Sequence, residues 1–140
     1  MNLNDYIGLP FAERGRDRSG LDCWGLLALI YREQIGIELP SFAEAYTTTQ
    51  DGEALSDLIA GNLGPWRSIP AGTERVGDGV LMTLACQPRH VGIVAAPGRV
   101  LHIERGMGSI IEPYTSPRII RRIVGFFRCL LYTSDAADEG

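Results

Sequence analysis

Lysine is absent from these 140 residues: all 13 basic side chains are arginine, set against 17 acidic ones, for a formal charge of -4. Nucleic acid is thereby disfavoured as a main partner, because phosphate binding needs a net cationic surface or a dense basic stripe. The missing lysine itself reads as coding bias rather than function, although arginine pairs bidentately with carboxylates better than lysine would. Long apolar runs are also missing. Nothing approaches the roughly 18 apolar residues of a membrane span, and the opening MNLNDYIGLPF has no basic leader followed by an apolar core. The expectation is a protein without a signal peptide or a membrane span, carried to any site outside its producing cell by other means. Cysteine is scarce. Cys23, Cys86 and Cys129 form an odd set with no CxxC spacing, which argues against a disulfide scaffold or a four-cysteine zinc site. Histidine is scarcer still, with only His90 and His102.

What is present is globular. The apolar fraction is 45% and the charged fraction 21%, and a chain of this length can bury roughly two thirds of its unfolded surface in one domain. We find neither an internal repeat nor a low-complexity segment. The last residues, CLLYTSDAADEG from Cys129 to Gly140, differ in character from the arginine- and glycine-rich chain before them. They resemble the in-frame translation of a transposase adapter used in sequencing-library preparation. We therefore expect a domain over residues 1–128 and a foreign tail over 129–140 in which Cys129 has no role; a natural, frayed terminus is the alternative.

Turn formers and charge over Tyr6 to Ser19 read as a loop leading into a first helix. That helix begins near Asp22, which caps its free amides, and ends at Gly36. Leu26, Leu27, Leu29 and Ile30 cover enough of its circumference to predict near-complete burial. After Pro40 a polar stretch precedes a shorter amphipathic segment, EALSDLIAGN, read as a second helix. From Arg75 onward the runs VGDGVLMTL, HVGIVAAPGRVLHIE and IIRRIVGFF read as antiparallel strands, with AAPGR as a tight hairpin. Helices first and strands afterwards predict an α+β domain.

Chemistry centres on three residues. Cys23 falls in the first turn of the helix, where unpaired amides and the helix dipole favour thiolate over thiol; inert packing is the competing reading, since free cysteine is commonly buried. His90 and His102 fall on strands joined by the APGR turn. If the hairpin pairs in an even register, even-numbered side chains share a face and the two rings become near diagonal neighbours. One imidazole can then hold the other in a chosen tautomer while the first takes a proton from a thiol. The competing reading is two unrelated histidines.

A helix-start thiol followed by two strand histidines is the layout of papain-like cysteine hydrolases. The strings YIGLPF, SGLDCWGLL, VGDGVLM, HVGIV and VLHIE resemble, in order, the blocks of the NlpC-type cell-wall cysteine peptidases over about residues 5 to 105. The DCWGL form, with GRDRSG before it and GIELP after, is most similar to the tail-associated branch encoded by bacteriophages. The resemblance implies a papain-like α+β fold with a buried amino-terminal helix packed on an antiparallel sheet. It implies Cys23 as nucleophile, His90 as base and His102 as the orienting third member. Asp22 matches the acidic residue beside the nucleophile, a helix cap and loop anchor. Tyr6 matches a tyrosine that helps to bind substrate or the oxyanion, and Asp78 is expected to fix a turn rather than to catalyse. Arg16 and Arg18 are candidates for a substrate carboxylate, with a solvated loop as the alternative. The implied reaction is hydrolysis of an amide in peptidoglycan stem peptide, at the γ-D-glutamyl–diamino acid bond, without cofactor or metal. Expected partners are wall peptide and other phage tail proteins.

Trp24 departs from the small residue that often follows the nucleophile and bears on pocket shape. Cys86, in LACQPRH, is a rival thiol without a helix terminus to activate it. A zinc site of Cys23, His90 and His102 matches no common spacing. Two other function classes stand beside the peptidase: an inactive tail assembly protein that keeps the fold, and an amidase or acyltransferase on the same scaffold.

Overall fold

The computed structural model describes residues 1–39, 66–84 and 87–129. The expected second helix, Cys86 and all of the tail beyond Cys129 lie outside them. A 3-10 turn at Asn4–Tyr6 is followed by a two-residue ladder of β1 (Arg16–Asp17) and β2 (Gly20–Leu21) and then by α1 (Cys23–Ile30). The helical segment continues as a π turn over Tyr31–Ile35 and stops at Gly36, whose φ of 80° is left-handed, the conformation glycine adopts at helix ends without a Cβ penalty. Asp22 caps the other end: its side chain accepts from the Gly25 amide at 2.8 Å. Every α1 residue except Ala28 is buried.

Six antiparallel strands form the main sheet: β3 (Trp66–Ile69), β4 (Gly79–Leu84), β5 (Gln87–Ala96), β6 (Arg99–Glu104), β7 (Gly108–Pro113) and β8 (Ile123–Cys129), in the order β3-β8-β4-β5-β6-β7. A short helix, α2 (Pro117–Ile120), lies between β7 and β8. This is the expected α+β arrangement, one buried helix on an antiparallel sheet, with four local corrections. The Tyr6–Ser19 segment is not a plain loop but contains a 3-10 turn and the β1 strand. Strands β3 and β7 were not anticipated. The IIRRIVGFF run begins as helix, because Pro117 sits at its first turn, where a missing N–H costs nothing. Its strand starts only at Ile123 and ends at Cys129, which is buried opposite Trp66.

Parity divides the sheet. Pairs such as Leu81↔Val91, Ile93↔Leu101 and Leu101↔Ile111 match odd with odd, so across these central strands one face carries odd-numbered and the other even-numbered side chains. Leu81, Val91, Ile93, Leu101 and Ile103 pack with α1 in one core cluster. Val80, Met82, Val94 and Val100 join Tyr114, Phe126 and Ile119 of α2 in a second. A β-bulge sets this parity. The turn at Pro97–Gly98 pairs Ala96 with Arg99, an even residue with an odd one, and the register shifts between Val94 and Ala96. The extra residue restores like-with-like pairing for the rest of β5 and β6.

The start of α1 depends on close backbone approach. A Cβ on Gly25 would lie 2.0 Å from the Gly15 carbonyl oxygen, so only glycine lets the 12–21 segment dock there. Asp78 anchors a turn, as anticipated, accepting from the Arg75 amide at 2.9 Å; it also holds Arg128 of β8 at 3.0 and 2.8 Å.

Candidate active site

The two histidines meet. His90 Nε2 lies 2.9 Å from His102 Nδ1, and both rings are buried. His90 projects from β5 and His102 from β6 on the even-numbered face, displaced diagonally as an even register requires. Gly92, opposite His102, makes room for this: a Cβ there would stand 3.1 Å from the Cβ of His102 and 2.7 Å from Val100 Cγ2.

Cys23 arrives from the other face. Its sulfur accepts a hydrogen bond from the amide of Val91, the residue after His90. The β5–β6 partners reach only as far as Ile93↔Leu101, so the sulfur sits at the edge of β5 beyond the end of that ladder. It makes no hydrogen bond to either imidazole. The two rings are thus in contact, and the thiol is held at the amide of the residue that follows His90 on β5.

The helix start does not produce a resting thiolate, contrary to the sequence-based expectation. Burial pushes the Cys23 thiol up to about 12, and the charge of Asp22 adds to the rise. The Val91 and Trp24 amides and the Arg16 guanidinium pull the other way. The magnitudes explain the outcome: a helix terminus contributes roughly 0.3–1 kcal/mol, under one pKa unit, whereas full burial moves a group by up to several units. Burial also holds His90 well below the ordinary histidine range, with His102, Arg122 and Arg118 pushing the same way. His102 is lowered by burial as well, opposed by Glu112 and Glu104. At neutral pH the site therefore rests as a neutral thiol beside neutral imidazoles.

Four charged residues around the rings were not anticipated. Glu112 Oε2 lies 2.5 Å from His102 Nε2, and Glu104 Oε2 lies 3.5 Å from His90 Nε2. Arg122 binds Glu104 directly, and Arg118 lies 3.9 Å from Glu104 and 3.7 Å from Glu112. Glu104 could have been found, since VLHIE places it two residues from His102 on one strand face. Glu112 could not, without knowing that residues 108–113 form a strand.

Other expected site residues are placed elsewhere. The Tyr6 hydroxyl donates to Glu33 at 2.8 Å and accepts from Gln34 at 3.1 Å. Those partners stand in the last turn of the helical segment, ten residues on from Cys23, so Tyr6 anchors the chain there and is not offered to an oxyanion. Arg18 grips Glu33 with two hydrogen bonds of 2.5 and 2.7 Å and covers the Tyr6 ring. Arg16 donates to Asp22 at 2.7 Å, and Asp22 also accepts from the Arg14 amide at 3.1 Å. Arg16 is thus tied into the cap, and Arg18 into the last turn of the helical segment.

On distance alone His90, His102 and Glu104 could hold a metal ion, their ligand atoms lying within 4.8 Å of one another. Cys23 is not in that group. The two ring nitrogens already face each other at hydrogen-bond distance, and the guanidinium of Arg122 opposes a further cation. An open cleft of about 410 Å³ lies between Phe11, Ala12 and Glu13 on one side and Arg105 to Gly108 on the other. Phe11 bridges to Leu21, two residues before Cys23, and Arg105 follows Glu104.

The combination of a buried helix on an antiparallel sheet is found in known proteins. Residues 8–128 match the model of the NlpC/P60 family. A murein DD-endopeptidase/murein LD-carboxypeptidase, MepS, of Escherichia coli is 31% identical over 118 residues, which make up 81% of this chain and 54% of that protein. The chain thus spans about half the length of that curated relative. Among solved structures, an NlpC/P60 family protein from Bacillus cereus superposes with a TM-score of 0.65 at 22% identity, over 89% of this chain and 37% of the other. A lipoprotein-like NLP/P60 family protein from Staphylococcus aureus gives 0.62 at 20% identity, over 90% and 38%. At these identities the structures speak for the papain-like fold, while the family match runs through nearly all of the described sheet and the helix bearing Cys23: the chain belongs to the NlpC/P60 family.

Proposed function

We propose that this domain is a cysteine peptidase that hydrolyses an amide bond in the peptide of bacterial peptidoglycan, with Cys23 as nucleophile, His90 as base and His102 orienting His90. The observation that carries the reading is the 2.9 Å contact between His90 Nε2 and His102 Nδ1, one residue from the amide that holds the Cys23 sulfur. The E. coli relative bears the name of a murein peptidase, which supports the substrate class.

Because thiol and imidazole both rest neutral, the first step is general-base catalysis. As substrate enters, the Cys23 side chain turns toward His90, which takes the Sγ proton while sulfur attacks the carbonyl carbon. The protonated imidazole gives that proton to the departing amine. Water, deprotonated by His90, then attacks the thioester and releases the acid, leaving the thiol restored. Backbone amides at the helix start are the nearest donors for the oxyanion. The cleft beside Phe11 and Arg105 is the approach for the peptide, with Arg105 already paired to Glu13 across it.

The finer assignment is the γ-D-glutamyl–diamino acid bond, in a tail-associated phage protein delivered within the virion. The bond rests on the family resemblance, and the phage assignment on the DCWGL, GRDRSG and GIELP strings. Deep burial of Cys23 favours a second reading, a domain kept for tail assembly without hydrolysis. Purified wall peptides incubated with wild type and Cys23→Ala, with products weighed by mass spectrometry, decide between them. Cleavage that is lost in Cys23→Ala supports the peptidase, and the product masses identify the bond. No cleavage by wild type, or equal cleavage by both proteins, overturns it.

A further inference from the structure

Glu112 pairs across the ladder with Val100, which puts it on the even-numbered face diagonally next to His102. Its Oε2 lies 2.5 Å from His102 Nε2, and His102 Nδ1 lies 2.9 Å from His90 Nε2. The proton positions in this row follow from what each atom can do. A carboxylate only accepts, and a neutral imidazole has one donor and one acceptor nitrogen. Facing Glu112, His102 Nε2 must carry the proton, which leaves Nδ1 as a lone pair. Facing that lone pair, His90 Nε2 must donate. His90 Nδ1 is then the unprotonated nitrogen. Glu104, 3.5 Å from His90 Nε2, is a second acceptor for the same proton and reinforces the arrangement. Arg122 balances the Glu104 charge, and Arg118 lies near both carboxylates.

We propose that Glu112 is a positioning residue that sets the tautomers of both imidazoles, extending the row to Cys23, His90, His102 and Glu112 so that His90 keeps its Nδ1 lone pair for the thiol. The proposal rests on the peptidase reading for its consequence but not for its geometry. Replacing the carboxylate by an amide is the sharpest perturbation, because Gln can donate as well as accept. A donating amide reverses every hydrogen bond in the row: His102 then protonates at Nδ1, and His90 carries its proton on the nitrogen that should act as base. Loss of a correctly poised general base costs on the order of 10²-fold or more in rate, and this effect falls on kcat rather than on KM.

The test uses the full chain with ¹⁵N-labelled histidine. In wild type, long-range ¹H–¹⁵N spectra at neutral pH are expected to show both rings protonated at Nε2. In Glu112→Gln they are expected to show a mixture or the reversed tautomer, with kcat on the wall peptide reduced tenfold or more, KM within about twofold and the urea midpoint nearly unchanged. A wild-type spectrum with His90 protonated at Nδ1 overturns the proposal, even if the variant does not fold. So does a folded Glu112→Gln with wild-type tautomers and wild-type kcat. The two readings fail separately: hydrolysis surviving in Cys23→Ala removes the peptidase assignment and leaves the spectra to decide on Glu112.

Discussion

Replacing Asp22 by Ala tests how the site is anchored. This carboxylate is completely buried and accepts from the Gly25 amide at 2.8 Å, the Arg14 amide at 3.1 Å and Arg16 Nη1 at 2.7 Å. Losing the cap alone costs about 1 kcal/mol. A second amide and a guanidinium only 19% exposed also lose their acceptor, and buried donors left unsatisfied cost about 1–3 kcal/mol. We expect about 3 kcal/mol in all, or a fall in Tm of roughly 10 °C for a chain of this size. Asn keeps one oxygen for the Gly25 amide but not the charge opposite Arg16, so Asp22→Asn should lose about half as much. Urea denaturation followed by circular dichroism measures both. Removing the charge also relieves one of the causes that raise the Cys23 thiol, so iodoacetamide should alkylate Asp22→Asn faster than wild type at pH 8. A loss below about 0.5 kcal/mol in Asp22→Ala would show that the three hydrogen bonds do not hold the helix start.

Two further outcomes follow from the site. His90 is held below its ordinary value of 6.5, so below that pH the unfolded chain binds the proton that the folded chain refuses; stability is full above about pH 6.5 and falls as the pH drops, by up to about 1.4 kcal/mol per pH unit. Urea midpoints at pH 7.5, 6 and 5 should decline for wild type and decline less for His90→Gln, and equal slopes would contradict the buried neutral ring. Tyr6→Phe should retain kcat within about twofold while losing about 1 kcal/mol of stability, because its hydroxyl bonds Glu33 and Gln34; a tenfold loss of kcat in a stably folded variant would return Tyr6 to the oxyanion role.

The core of the fold was legible because it obeys simple periods. The DCWGLLALIYREQIG string carries its own cap, apolar circumference and glycine stop, and the structure keeps all three. The chemistry was legible in part. A sequence shows that Cys23 begins a helix, but not that Leu21, Trp24 and the sheet close over it, so the sign of its thiol shift came out reversed: burial is a tertiary quantity, and here it exceeds the local dipole. For Tyr6 the family resemblance suggested a place in the site, and for Arg16 and Arg18 nearness to the nucleophile did, with a solvated loop as the alternative; in the fold their polar ends bond Glu33, Gln34 and Asp22. Strand β7 was missed because MGSIIEP is short and follows a glycine-rich turn, and Glu112 was missed with it.

The pairing of His90 with His102 shows how narrow the margin between pattern and structure can be. A two-residue turn joins partners of opposite parity, and continued without interruption it would have set His90 and His102 on opposite faces of the sheet. The bulge around Ala95 shifts the count by one residue, and with it every side chain before it on β5. The twelve-residue separation of the histidines is productive only in combination with that bulge. The same parity sends α1 to the odd face while the rings occupy the even one, so sulfur and imidazole can meet only around a strand edge. Such an edge exists where the β5–β6 ladder ends at Ile93. One unpaired residue near the hairpin and a ladder that stops before His90 together set the two rings side by side and leave the next residue's amide to hold the Cys23 sulfur. Family blocks in the sequence mark the participants, but it is the register of two strands that makes them neighbours.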